Sequence, residues 1–366
     1  MRFPQAVATA ISIGLVALGF GAPDAGAAEP LSLEAKIPLG EVSGRIDHLA
    51  YDAKRGRLIV AELGNNSVSV LDLDRRALVH RIGGLHTPQG VGYLAATDTI
   101  YVASAGDGLV RRFKADDFAE TAPIDLGDDA DNIRIDGATN EVVVGYGAGG
   151  LAVLESASGQ KGAALSAPSA GKTRSQSGGI GSALRGRQAK GTSAEFQLPA
   201  HPEGFQLAPG GRRIFVNLAE LGQVGVVDRA SGKLVAAWRA PGLAANFPMA
   251  LDGSSERVLV AFRRPPRLAA FDANTGRVAA TIDVCGDPDD LFTDAPRRRV
   301  YLTCGAGAGA VDVLEQDSAG YRRVGRIASG RGARTGLYVP ERDRLYVAVP
   351  ADNGQPAAIW VFRPTP

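Results

Sequence analysis

The sequence predicts an all-β fold, a seven-bladed β-propeller. Three observations carry that expectation: a line written seven times, four short strands in each repeat, and chain ends that complete one another. Apolar triplets that follow a polar turn begin at Leu58, Ile100, Val142, Ile214, Val258, Val300 and Leu345, with spacings of 42, 42, 72, 44, 42 and 45 residues. A period in the forties is the mark of a propeller repeat. The one long interval exceeds the others by about 30 residues and holds an insertion.

Within a repeat, apolar runs rich in β-branched and aromatic residues alternate with Gly, Asn and Asp, the pattern of strands and turns. The first repeat divides into 48-HLAYD, 57-RLIVAE, 67-SVSVLDL and 77-ALVHRIG, which is four strands. Such a sheet has two faces to cover, and a ring of neighbours covers both. The last repeat has three strands, 336-GLYV, 344-RLYVAV and 357-AAIWVF, whereas 31-LSLEAKIPLG stands alone near the start. The expectation is that this N-terminal strand closes the seventh blade and so removes an exposed edge.

Residues 1–28 read as a cleaved signal peptide: Met1-Arg2, an apolar run from Ala6 to Phe20, then Ala25-Gly26-Ala27. The apolar run is short for a membrane span, and an uncleaved anchor is the alternative. The mature chain, 29–366, is expected to be a monomer in the periplasm or secreted, without a transmembrane segment. The only two cysteines, Cys285 and Cys304, then meet an oxidising compartment. In the blade scheme the first lies in the connection between blades five and six. The second ends the second strand of blade six, on the same face, so a disulfide is expected; two buried thiols are the alternative.

The insertion, 160–192 in blade three, is Gly, Ser and Ala with six basic residues and no acid. Too little apolar surface is present to order it. The fourth strand is expected to resume at 194-AEFQLPA. Removing those six charges from a net charge of +1 leaves −5 on the rest of the chain. The loop either touches nucleic acid or another anionic surface or is a tolerated surface loop.

The phrases 214-IFVN, 101-YVAS and 345-LYVA resemble YVTN-type propeller repeats. The longer phrases 201-HPEGFQL, 246-NFPMALD, 289-DDLFTDAPRRRVYLTCG and 333-ARTGLYVPERDRLYVAV resemble the exported YncE-like branch of that family. The resemblance covers the mature chain outside the insertion. It implies the fold and leaves the activity open.

Candidate chemistry gathers where the innermost strands begin. Eleven residues before each triplet stand Asp47, Gln89, Asp131, Glu203, Phe247, Asp289 and Arg334. Ten before stand His48, Gly90, Asn132, Gly204, Pro248, Asp290 and Thr335, with His201 and Asn246 nearby. Innermost strands surround the channel, so these positions should converge on one mouth. Clustered carboxylates need partners, protons or a cation. One reading is a pocket for a small ligand, a protein segment, or Ca²⁺ or another divalent cation; the other is turn chemistry, with Arg334 neutralising Asp289 or Asp290.

The favoured function is a non-enzymatic binding propeller with His48, Gln89, Asp131, Asn132, His201, Glu203, Asn246, Asp289, Asp290 and Arg334 at the mouth. The alternatives are a metal-dependent hydrolase of the lactonase type, with Asn132, Glu203 and Asp290 as metal ligands, and an envelope interaction scaffold. Propeller lactonases offer that comparison through an axial Glu, Asn and Asp set, an analogy of fold. The strings 145-GYGAGG and 305-GAGAG precede strands rather than helices, so they read as hairpin turns and not as nucleotide loops. No C-x-x-C-H haem site is present.

Overall fold

A computed structural model describes residues 29–155, 190–318 and 320–366. The proposed leader, 1–28, and residues 160–189 of the insertion lie outside the described residues. Among those described, the chain forms seven antiparallel four-stranded sheets in sequence order. Each innermost strand packs against the next around the ring, and the last packs against the first. The fold is therefore a closed seven-bladed β-propeller, as the repeat predicts.

The innermost strands, from blade one to blade seven, are Leu49–Asp52, Pro88–Leu94, Ile133–Asp136, Phe205–Leu207, Ala244–Asp252, Pro288–Asp294 and Gly336–Val339. The apolar triplets lie in the second strands, such as Arg57–Glu62 and Arg299–Cys304. A second strand is covered on both faces by neighbouring blades, so Leu58, Ile59, Val60 and Ala61 are all buried. That is why these strands read as continuous apolar runs instead of alternating ones. The outermost strands face solvent; Lys233–Trp238 alternates between exposed and half-buried positions.

Seven separate apolar clusters hold the ring, one between each pair of adjacent blades. Among the described residues these clusters lie between blades, which leaves the axis to polar side chains. Closure follows the expected route. Leu31–Pro38 pairs antiparallel with Ala358–Pro364 and becomes the outer strand of blade seven. Its Leu31 is buried against blade six, and Ile37 against blade one.

In blade three the fourth strand is Thr192–Gln197, two residues earlier than the sequence suggests. A bulge lets Leu154 pair with Thr192, whose side chain is buried. The C-terminal limit of the insertion therefore moves inward, and Thr192 belongs to the blade. The cysteines pair as expected: Cys285 and Cys304 form a disulfide with Cα atoms 5.8 Å apart. No helix among the described residues is long and apolar enough to cross a membrane.

Candidate functional site

The residues that open the innermost strands are held by the second strand of their own blade. Asp131 N–H donates to Gly145 O at 2.9 Å, and Glu203 N–H donates to Asn217 O at 3.0 Å. Asp47 N–H donates to Ala61 O at 2.8 Å in the same way. These bonds extend each ladder beyond its regular strand and fix the mouth residues on a rigid frame. Neighbouring blades also crowd here. A Cβ at Gly90 would lie 2.0 Å from Asp131 O, so only glycine lets blade three approach.

A cavity of about 650 Å³ opens at this mouth and follows the axis inward. Its wall includes His48, Gln89, Asp131, Asn132, His201, Glu203, Asp289, Asp290 and Arg334. Its deeper part is lined by Leu49, Tyr51, Tyr93, Phe292 and Leu337. Of the ten residues named for the mouth, nine line this one cavity. Asn246 is not on the cavity wall. Its Nδ2 donates to Asn217 Oδ1 and to Gln223 O, each at 2.8 Å, so it ties blade five to blade four inside the protein.

The charges separate into two halves. On one side, Arg263 pairs with Asp287 and Asp289, and Arg334 reaches Asp287 and Asp289 at 3.0 Å each. Arg45 pairs with Asp47 at 2.8 Å. The expected neutralisation of Asp289 by Arg334 is present. Asp290 is used differently: it accepts Gly336 N–H at 2.9 Å and faces His48 Nδ1 at 3.4 Å. Burial opposes a charge on His48, but Asp290 and Asp47 outweigh it and raise its pKa to about 10. Burial raises Asp47 to about 7, against the pull of His48 and Arg45.

The other half carries Asp129, Asp131, His201 and Glu203. His201 Nδ1 donates to Gly147 O at 2.7 Å. Its Nε2 lies 3.6 Å from Asp131 Oδ2. Burial disfavours the imidazolium, yet Asp131 and the Gly147 carbonyl raise His201 to about 9. Burial and then the Asp131 charge raise Glu203 to about 7. Ligand atoms of Asp131, His201 and Glu203 all lie within 4.8 Å of one another. Of the set expected for a metal, Glu203 belongs to this group and Asn132 lines the same cavity, while Asp290 stands apart from the group. Asp290 instead accepts Gly336 N–H and faces His48.

Sequence reasoning missed Arg45, Asp129, Arg134, Arg263 and Gln206, all on the cavity wall. Arg45 and Asp129 sit two residues before a counted position, so a wider window would have found them. Arg263 belongs to a second strand, outside the inner-strand phase. Arg134 has its Nη1 on Ile133 O at 2.8 Å and no carboxylate at ion-pair distance among the described residues.

No known sequence family matches this chain, and no curated protein matches it either. Solved structures do. A chain of the hydrazine synthase of Kuenenia stuttgartiensis is similar with a TM-score of 0.68 and 14% identity, over 84% of this chain and 94% of that one. A chain of a mitotic checkpoint complex is similar with a TM-score of 0.66 and 13% identity, over 96% of this chain and 99% of that one. At such identities the likeness is one of fold. Fold and site together define the class: a β-propeller with a charged axial cavity at one mouth.

Proposed function

We propose that this chain is an exported binding propeller of the YncE-like kind, which takes one small polar molecule or ion in its axial cavity and does not transform it. The observation that carries this reading is the cavity itself. Its volume of about 650 Å³ falls within the usual range for small-ligand sites. Charged groups held on several blades converge on its mouth. The Cys285–Cys304 disulfide fits an oxidising compartment, as export requires.

The test is a thermal-shift screen with small polar metabolites, lactones among them, on the parent and on Gln89→Trp. Gln89 is half-buried on the wall, and a Trp there fills space in the mouth. A ligand at a hundred times its Kd should stabilise the parent by about 2.7 kcal/mol. The gain should vanish in Gln89→Trp, while the stability without ligand is kept. A gain that persists in Gln89→Trp places binding elsewhere and defeats the reading. Turnover of a lactone, lost in the same variant, would replace it with the hydrolase.

A further inference from the structure

The geometry points to a binding site for one first-row transition-metal dication, of the Zn²⁺ type, held by Asp131, His201 and Glu203 at the acidic side of the cavity. This deepens the reading of the cavity as a binding site and rests on it. The argument starts from the imidazole. A carbonyl oxygen can only accept, so the contact of His201 Nδ1 with Gly147 O at 2.7 Å places a hydrogen on Nδ1. The neutral ring then has its lone pair on Nε2. Metal-bound histidines are commonly oriented in this way, with the second nitrogen donating to a backbone carbonyl.

Nε2 faces the Asp131 carboxylate, and Glu203 stands close by. The 3.6 Å separation of Nε2 from Asp131 Oδ2 is long for a hydrogen bond. It is close to the edge of about 3.4 Å expected between two ligands that each stand about 2.1 Å from a tetrahedral ion. Glu203 completes the set, with all three ligand atoms inside 4.8 Å. A small turn of its flexible side chain closes the remaining distance.

Two further observations separate this cluster from an ordinary group of acids. Asn132 lines the same cavity, is only 3% exposed, and has a buried Oδ1 that no donor reaches. A buried acceptor without a donor costs free energy, and bound metal or metal-bound water would satisfy it. Glu203, in turn, has no cation or donor at ion-pair or hydrogen-bond distance among the described residues, whereas Asp47, Asp287 and Asp289 each face an arginine. The arginine-rich half of the mouth is neutralised by its own residues, and the Asp131–Glu203 half is not. The nitrogen ligand decides the metal class. Ca²⁺ and Mg²⁺ favour all-oxygen sets, while imidazole with carboxylates suits Zn²⁺ and its neighbours.

Full-length mature protein is stripped with a chelator and titrated calorimetrically with Zn²⁺, and separately with Ca²⁺. One equivalent of Zn²⁺ should bind, and Ca²⁺ at least about 100-fold more weakly. Glu203→Gln, isosteric at an unpartnered side chain, should keep the fold and weaken Zn²⁺ by about 100-fold or more. Asp131→Asn and His201→Gln should do the same, and His80→Gln, on the exposed outer strand of blade one, should not. Co²⁺ in place of Zn²⁺ should give a visible absorption spectrum that Glu203→Gln abolishes. Zn²⁺ binding unchanged in Glu203→Gln and Asp131→Asn, or no binding at 1 equivalent, overturns the site. The metabolite screen, run in chelator, still reports on the cavity, so the two ideas fail separately.

Discussion

Truncating one buried side chain of the N-terminal strand should open the ring, and truncating its exposed neighbour should not. Ile37 is 1% exposed and packs with Leu71, Tyr346 and Ile359, where blade seven meets blade one. Leu33, in the same strand, is 46% exposed. Ile37→Ala removes three carbons from the core, about 2.4 kcal/mol of transfer free energy at about 0.8 kcal/mol per carbon. The residual cavity adds to that, so a loss of about 2.5–4 kcal/mol is expected. Leu33→Ala removes as many carbons from a position half in water and should cost about 0.5 kcal/mol.

Urea unfolding followed by tryptophan fluorescence measures both. Trp360 lies on the strand that pairs with the latch and carries Lys36 over its ring at 3.8 Å, so it reports on this contact directly. Equal midpoints for Ile37→Ala and Leu33→Ala would show that the strand does not close blade seven. The closure argument would then be refuted, because nothing else in the chain supplies that outer strand among the described residues.

Removing the disulfide with Cys285→Ala and Cys304→Ala should lower stability by about 3 kcal/mol, from loop-closure entropy over a separation of 19 residues. Oxidised, denatured protein should show no reactive thiol, and two reactive thiols would refute the bond. Asp47→Asn should change the pH dependence of stability. A carboxyl raised from 3.8 to about 7 binds a proton in the folded state that the unfolded chain has released. Its contribution is present below pH 3.8 and is lost as pH rises toward 7. Relative to the parent, Asp47→Asn should therefore gain about 1 kcal/mol or more between pH 4 and pH 8. A difference that stays flat over that interval would mean that Arg45 keeps Asp47 ionised throughout.

Most of the ring was legible because a repeat carries its own ruler. Once the second-strand triplets were aligned, counting back ten and eleven residues landed on the mouth. The ruler worked for Asp131 and Glu203 because blades three and four hold them by the same ladder bond; Asp289, in a bulge, and Arg334, in a turn, fall at the same offset by other means. It failed for Asn246, one residue off the count. The strand Ala244–Asp252 has a register shift between Asn246 and Met249, and Asn246 turns into the interface with Asn217. The ruler also could not find partners. Which arginine reaches which carboxylate depends on side chains from different blades. Arg263 arrives from a second strand with its guanidinium 3.6 Å from the Phe247 ring centroid, a placement that periodicity does not encode.

The division of charge at the mouth follows from where arginines enter. Arg45 precedes blade one, Arg334 precedes blade seven, and Arg263 reaches over from blade five. All three meet the Asp287–Asp289 connection or Asp47. Blades three and four supply Asp131, His201 and Glu203, and the arginine they place on the cavity wall among the described residues, Arg134, turns toward the Phe205 ring. Seven independent interfaces hold the blades, so these groups cannot drift together to cancel their charges. A soluble surface would relax such an imbalance by moving side chains into water. Inside a narrow channel Asp131 is buried, and three carboxylates, Asp129, Asp131 and Glu203, share one histidine, an excess of negative charge that would favour a cation as the proposed site requires.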